Sequence, residues 1–449
     1  MAETDILIIG GGPAGLVAAN TAHAYYPGKQ ITLVRKAPRA VVPCGIPYIF
    51  HRLGSVEKNL IPDGGLEAKG IRLVLDEAIK LDTESHCVTL AHEGEIKYEK
   101  LVLATGSSPI RPPIPGATKR GVFVVEKDPV SLQVLFDAVQ NAKNIVVIGG
   151  GFIGVEFADE IAHMTGKHIA IVEMLPHCLY QAFGDDFAQQ AEAELKKAGV
   201  EIHTGEKVTE ILGEEHVSGV QLSNGQRLDA DLVLISVGAR PNVTLAAEAG
   251  LTIGYSRGIW VDEYLRTTAP DVFAVGDCAE KKDFFTRKVT PVMLASTASA
   301  EARIAGANLY SLRVVRDNRG TLATFSTQVG DVTLASAGLT ERRALEEGFD
   351  IVVGVSKTMN RHPGSLPGAR QVTVRLVFAA DSLVLLGGEV AGGPSTGELI
   401  NTIALALQNR MTANQIETLQ VATHPLLTAA PTVYPLVTAA IQARELCHS

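Results

Sequence analysis

The chain has 449 residues, enough for two or three domains, each with its own core. Apolar residues make up 46% and charged residues 20%, with no uninterrupted apolar run long enough to span a bilayer, which fits a globular and not a membrane-spanning chain. A formal net charge of −9 argues against nucleic acid as a partner.

The first predicted element is a strand, Asp5 to Ile9, so no signal peptide is expected at the start. It runs into Gly10-Gly11-Gly12-Pro13-Ala14-Gly15 and then an Ala-rich helix, Leu16 to Ala24. A strand at Ile31 to Val34 follows, and another at Leu101 to Ala104. The segment Arg111-Pro112-Pro113-Ile114-Pro115-Gly116 cannot continue a regular element, and a domain crossing is expected there. The same design then returns: Ile145 to Ile148, a turn Gly149-Gly150-Gly151-Phe152-Ile153-Gly154, and a strand Ile169 to Val172 closed by Glu173. Alternation of this kind predicts parallel sheets with covering helices, used twice. From about residue 320 the character changes to α+β. Thr321 to Leu334 and Gln371 to Leu386 are β-rich, and helices are expected at Thr340–Gly348 and Thr396–Gln408.

Each glycine turn has the chemistry of a dinucleotide site. The first glycine (Gly10, Gly149) allows the tight turn, the second (Gly12, Gly151) lets backbone approach a pyrophosphate, and the third (Gly15, Gly154) lets helix pack on sheet. The helix N-terminus then offers free N–H groups to phosphate. A chain holding two dinucleotides can pass electrons between them. At the second site Glu173 is placed to accept from ribose hydroxyls and to repel a 2′-phosphate, predicting NADH over NADPH, with His177 nearby. At the first site the acid is missing. Val34 is followed by Arg35 and Lys36, so a cation is expected to meet the adenosine end by another route.

Two further segments carry a resemblance: Ala104-Thr105-Gly106 at a strand end, and Thr268 to Asp277, ending Gly276-Asp277. Together with the two turns they resemble the flavin-dependent pyridine nucleotide–disulfide oxidoreductases along nearly the whole chain. The resemblance implies FAD at the first turn, contacted by Gly10, Gly12, Pro13, Ala14, Gly15, Arg35, Lys36, Ala78, Ala104, Thr105, Gly106, Gly276, Asp277 and Ala295. Asp277 would accept from ribitol hydroxyls, its alternative being a helix N-cap. NAD(H) is implied at Gly149, Gly151, Ile153, Gly154, Glu173 and Gly238. Phe152 would be an aromatic covering the flavin or a core Phe, and Glu156 an acid near both rings or a helix-surface acid. The implied fold is two Rossmann-like dinucleotide-binding domains plus an α+β C-terminal dimerisation domain. Its division is FAD-binding 1–115 and 244–320, NAD-binding 116–243, and interface 321–449.

Of five scattered cysteines, none has metal-ligand spacing, so no metal is expected, and a reducing cytoplasm fits best. Cys44, in Val42-Pro43-Cys44-Gly45-Ile46-Pro47-Tyr48, precedes an expected helix, Ile46 to Leu53, whose N-terminus would favour the thiolate. Ile49 stands where dithiol members of the family have a second cysteine, so the chain looks like the single-cysteine branch: coenzyme A disulfide, persulfide or polysulfide reductases, NADH oxidases and NADH peroxidases. Pro13 replaces the histidine of the peroxidases and disfavours that chemistry. His424, in a His-Pro pair, and Tyr434 are candidate proton donors to Cys44 of a neighbouring subunit in a homodimer. The expected acceptor is a small disulfide, persulfide or polysulfide. The rivals are direct reduction of oxygen and electron transfer to an iron–sulfur protein partner.

Overall fold

In the computed structural model, residues 2–315 and 320–447 are described. The chain forms two compact units, residues 1–112, 123–141 and 237–321, and residues 113–122, 142–236 and 322–449.

The first unit is built on one seven-stranded sheet. Its parallel part runs Arg72–Leu75, Ile31–Arg35, Ala2–Ile9, Glu95–Leu103, with Ile9 opposite both Val34 and Leu103. Every residue of Ile31–Arg35 is buried, as a strand covered on both faces requires. Besides Ala2–Ile9, Glu95–Leu103 serves two further partners: its start pairs antiparallel with Cys87–Leu90, its end parallel with Val272–Ala274. This second pairing carries the distant Gly276-Asp277 turn to the end of the strand that leads into Ala104. Helix Pro13–Tyr25 packs on helix Ala295–Ala307 through small residues, including Ala18, Ala22, Ala298, Ala302 and Ala305. A Cβ on Gly306 would come 2.9 Å from the Thr21 Cβ, so the helices meet at close range.

In the second unit, strands Leu232–Ile235, Asn144–Ile148, His168–Glu173 and Glu201–Thr204 lie side by side and parallel. Helices Phe152–Ala162 and Asp185–Lys197 follow the second and third of these in sequence. The C-terminal part is a five-stranded antiparallel sheet in the order Thr324–Val329, Val332–Gly338, Leu385–Gly392, Gln371–Ala379, Ile351–Met359. Thr396–Gln408 is a helix as expected; the expected Thr340–Gly348 helix is shorter, Glu341–Glu346, with Thr340 as its N-cap.

Candidate functional site

In the first unit, Gly10 has φ +122° and a Cβ there would lie 2.0 Å from the Ala104 carbonyl oxygen. A Cβ on Gly15 would lie 1.8 Å from the Gly10 carbonyl oxygen. These two glycines are therefore demanded by close packing of turn, strand and helix. Gly12 differs, because a Cβ there meets nothing within 4 Å. It caps helix Pro13–Tyr25 with Pro13 in the first turn, where the missing N–H costs no helical bond. The Ala104-Thr105-Gly106 turn is laced to Asn242. Thr105 Oγ1 donates to the Asn242 carbonyl (2.7 Å), and Asn242 Nδ2 donates back to the Thr105 carbonyl (2.9 Å). Gly106 has φ +69° and open space around it.

Arg35 is buried, with its stem beneath Gly11. Its guanidinium is committed within the protein, to both Asp63 carboxylate oxygens (2.7 and 2.5 Å) and to the carbonyls of Ala37 and Pro38. The hydrogen bonds from Arg35 hold the Asp63 carboxyl below the usual range, against a smaller opposing effect of burial. Arg35 thus braces the turn from below, which the expectation of a cation reaching for the adenosine end did not foresee. Lys36 lies at the surface, paired with Glu77 at 2.8 Å. Ala78 opens the strand Ala78–Asp82 and pairs with Leu90, and Ala295 opens its helix.

Asp277 is not an N-cap. It lies within the single 3-10 turn Gly276–Cys278, and its Oδ2 accepts from Ser107 Oγ (2.7 Å) and Lys127 Nζ (3.0 Å). Burial pushes this carboxyl up, but the Lys127 charge and the two hydrogen bonds outweigh it and hold the group ionised below its ordinary range. Gly276, at φ +75°, sits where a Cβ would press to 2.9 Å on the Ala14 Cβ. Its N–H donates to Glu301 Oε2 (2.9 Å) and its carbonyl accepts from Lys281 Nζ (2.6 Å), while these two side chains pair at 3.1 Å.

Cys44 is exposed and, like the other four cysteines, is in no disulfide among the described residues. The expected helix from Ile46 is absent. Two 3-10 turns, Pro43–Gly45 and Pro47–Ile49, stand in its place. Ile46 itself keeps α geometry, but the backbone closes in tight turns, Gly45 N–H donating to the Val42 carbonyl (3.0 Å) and Ile46 N–H to the Pro43 carbonyl (3.3 Å). The turn is held by Asn59, whose Nδ2 donates to the Val42 carbonyl (3.0 Å) and whose carbonyl accepts from Val42 N–H (2.9 Å).

In the second unit the turn repeats. Gly149 has φ +106°, a Cβ on Gly154 would come 1.9 Å from the Gly149 carbonyl oxygen, and Gly151 has open space. Ser236 Oγ donates to the Gly149 carbonyl at 2.9 Å. Glu173 is buried and not a solvated strand end. Its Oε2 accepts from Gly150 N–H (2.7 Å) and its Oε1 from Leu175 N–H (2.8 Å). The Phe152 ring stacks on Phe325 (5.0 Å) and meets Phe183 edge-on (6.0 Å). Ile153 is exposed. Burial and the neighbouring Asp159 and Glu160 push Glu156 up to about 7, despite a hydrogen bond donated by Thr327 Oγ1 at 2.7 Å. Gly238, in the first unit, has φ +108° and accepts from Ile110 N–H.

His424 is exposed on a tight turn. Its Nδ1 accepts from Leu426 N–H (3.2 Å), which leaves the proton of the neutral ring on Nε2. Two bonds from His362 hold that turn, N–H to the Pro425 carbonyl and Nδ1–H to the Thr428 carbonyl, both 3.0 Å. Tyr434 is half-buried before helix Pro435–Cys447, and burial raises its hydroxyl pKa.

Residues 4–302 match the profile of the pyridine nucleotide-disulphide oxidoreductases, and residues 324–433 match the dimerisation domain of the same group. The chain belongs to the pyridine nucleotide-disulphide oxidoreductase family. It is 32% identical over 397 residues to an NAD(P)H coenzyme A polysulfide/persulfide reductase of Pyrococcus horikoshii, covering 87% of this chain and 88% of that one. It is 30% identical over 425 residues to an NADH oxidase of Methanocaldococcus jannaschii, covering 92% and 93%. Among solved structures, an NAD-dependent persulfide reductase from A. fulgidus superposes with a TM-score of 0.91 at 29% identity, covering 98% of this chain and 83% of that one.

As a pyridine nucleotide-disulphide oxidoreductase the chain uses FAD and NAD(P)H, and the donor sets fit both. Each turn closes on itself at its first and third glycines and is open at the second, where a phosphate needs room. Among the described residues no group of His, Cys, Asp or Glu could hold a metal, and no helix is long and apolar enough to cross a membrane. Sequence reasoning missed Lys127, Ser107, Lys281, Glu301 and Asn59. All lie outside the motifs, and Glu301, 25 residues from Gly276, carries no local signal of its role.

Proposed function

We propose that the chain oxidises NADH and reduces a small disulfide, persulfide or polysulfide through Cys44. The observation that carries this is an exposed cysteine on a pinned turn, in a family member whose relatives include a polysulfide/persulfide reductase. In this reading the FAD-binding part is residues 1–115 and 244–320, the NAD-binding part 116–243 and the dimer interface 321–449. The first turn with Asp277 holds FAD, and the second turn with Glu173 holds NADH. When bound, these two groups supply the electron pair that returns the oxidised sulfur to thiolate.

The protein's own share is nucleophilic and acid–base. Cys44 thiolate attacks one sulfur of the acceptor, forming a mixed disulfide as the acceptor's S–S bond breaks. The leaving thiolate takes a proton. His424 is suited to assist, because the Nδ1 contact fixes the ring and leaves Nε2–H to hydrogen-bond the leaving sulfur, while the proton itself comes from solvent, a neutral imidazole being no acid toward a thiolate. In a homodimer His424 of one copy serves Cys44 of the other. Tyr434, which burial keeps protonated, is a second donor. Asp277 stays ionised beside Lys127 and so accepts hydrogen bonds from ribitol hydroxyls.

The M. jannaschii relative favours a second reading, reduction of oxygen. Anaerobic reduction with NADH, followed by mixing with acceptors, separates the two. In Cys44→Ser the flavin still bleaches with NADH, but reoxidation by disulfide or persulfide disappears. Undiminished reoxidation by those acceptors would overturn the sulfur reading; fast reoxidation by oxygen alone, in both proteins, would favour the oxidase. Fast turnover only with a small iron–sulfur protein would assign the chain to electron transfer.

A further inference from the structure

Residues 174–184, between Glu173 and helix Asp185–Lys197, contain no strand or helix, yet they lie directly on the second glycine turn. Leu179 N–H donates to the Gly150 carbonyl at 2.8 Å. A Cβ on Gly150 would come 2.8 Å from Cys178 Sγ, so the segment and the turn are in close contact. The Phe183 ring meets Phe152, the first residue of the helix behind the turn. A segment this irregular needs something to hold it, since each ordered residue costs about 1–2 kcal/mol of conformational entropy.

Much of the restraint comes from the C-terminal domain. Arg342, on the short helix Glu341–Glu346, donates to the carbonyls of Tyr180 and Phe183 and pairs with Asp185 at 2.9 Å. Its guanidinium carbon lies 3.5 Å from the centre of the Tyr180 ring. Below it, Glu389 Oε1 accepts from Gly184 N–H at 2.5 Å, and Arg375 joins Glu389 (3.3 Å) to Asp186 (2.8 Å). Glu389 is wholly buried, so this anchor is rigid. Arg342 grips two of the segment's carbonyls, alongside the Gly184 N–H held by Glu389 and the Cys178 N–H held by Glu192 at 2.9 Å. A planar fork that stacks and donates in fixed directions suits that task, and lysine cannot reproduce it.

We propose that Arg342 is a positioning residue for the pyridine nucleotide: a C-terminal-domain side chain that sets NADH affinity by holding residues 174–184 against Gly150 and Phe152. The proposal rests on the reading that the second turn takes NADH. It makes nucleotide affinity depend on a part of the chain that carries no nucleotide motif.

The test uses the FAD-loaded protein and compares Arg342→Ala, Arg342→Lys and Glu173→Ala in NADH titrations and steady-state assays. Arg342→Ala should raise KM and Kd for NADH about ten-fold, as loss of charged hydrogen bonds implies. Its kcat and acceptor KM should stay within about two-fold of the parent, and flavin content should not change. Arg342→Lys should recover part of the affinity. If Arg342→Ala folds poorly, Arg342→Lys and Asp185→Asn carry the same comparison with smaller expected rises. An NADH affinity unchanged in the Arg342 variants but weakened in Glu173→Ala would overturn this proposal and leave the nucleotide reading intact. Unchanged affinity in all of them would overturn both. A fall in kcat with NADH affinity unchanged would also overturn it.

Discussion

Glu173 Oε2 accepts the amide N–H of Gly150 at 2.7 Å, so the acid that closes one strand is bound to the glycine turn that follows another. With Oε1 on Leu175 N–H, the carboxylate is fixed by two backbone donors and retains lone pairs for further acceptance. Glu173→Ala should raise KM for NADH about ten-fold or more, the loss expected for charged hydrogen bonds, and narrow the NADH/NADPH ratio in kcat/KM. Glu173→Gln should be worse than its shape suggests, because its NH2 group must face one of two N–H donors. A Gln variant with parental affinity would show that the backbone contacts do not matter for nucleotide binding.

Lys281 and Glu301, both under 5% exposed, clamp the Gly276 peptide from its two ends. Removing one partner leaves a buried, unpaired charge, at about 3–5 kcal/mol. Lys281→Met should therefore lower the melting temperature strongly and release flavin during purification. The double variant Lys281→Met/Glu301→Leu should recover the melting temperature, since no lone charge remains, but not FAD affinity, because nothing then fixes the turn that carries Asp277. Full FAD retention in the double variant would show that the pair serves stability alone.

The glycine turns, their strands and helix Thr396–Gln408 were legible because each is a local pattern with one solution. Gly10 and Gly15 announce themselves by spacing, and the structure supplies the reason in contacts near 2 Å. What was not legible depended on distant partners. Nothing near Arg35 in the sequence reveals that Asp63 takes its guanidinium, and nothing near Asp277 reveals Lys127. The expected Ile46–Leu53 helix is replaced by the 3-10 turns Pro43–Gly45 and Pro47–Ile49, pinned from a distance by Asn59. Strand Ile351–Met359 shows no clear alternation in sequence, since Gly354 interrupts it.

Glu156 gives a pH dependence with a definite sign. Its carboxyl titrates near 7 in the fold against an ordinary 4.5, so the native state holds the proton longer than the unfolded chain. Stability is therefore greatest below about pH 4.5 as far as this group is concerned, falls as pH rises to about 7, and is level above. The upper bound is about 3 kcal/mol, reduced by the group's partial exposure. Glu156→Gln keeps an acceptor for Thr327 and removes the titration. Thermal melts of parent and variant from pH 5 to 8 should diverge as pH rises, with the variant higher by about 2–4 °C at pH 8. Parallel curves would mean that Glu156 is ionised throughout.

Gly45 and Asn59 determine where the sulfur of Cys44 sits. A Cβ on Gly45 would lie 2.0 Å from Asn59 Oδ1, and Asn59 is buried with its amide bonded to Val42, so neither side can yield without moving the turn. Gly45→Ala should displace Cys44 by a fraction of an ångström to an ångström, and misplacement by about 1 Å can cost about 100-fold in rate. The expected result is a turnover with disulfide acceptors reduced by about 10- to 100-fold, while NADH still bleaches the flavin at the parental rate. Asn59→Ala should reduce turnover in the same way by loosening the turn. The rate of Cys44 alkylation by iodoacetamide, followed by mass spectrometry, reports the change of environment independently of activity. Parental turnover in both variants would mean that the reaction does not depend on a fixed position for that sulfur, and the sulfur reading of the site would lose its structural support.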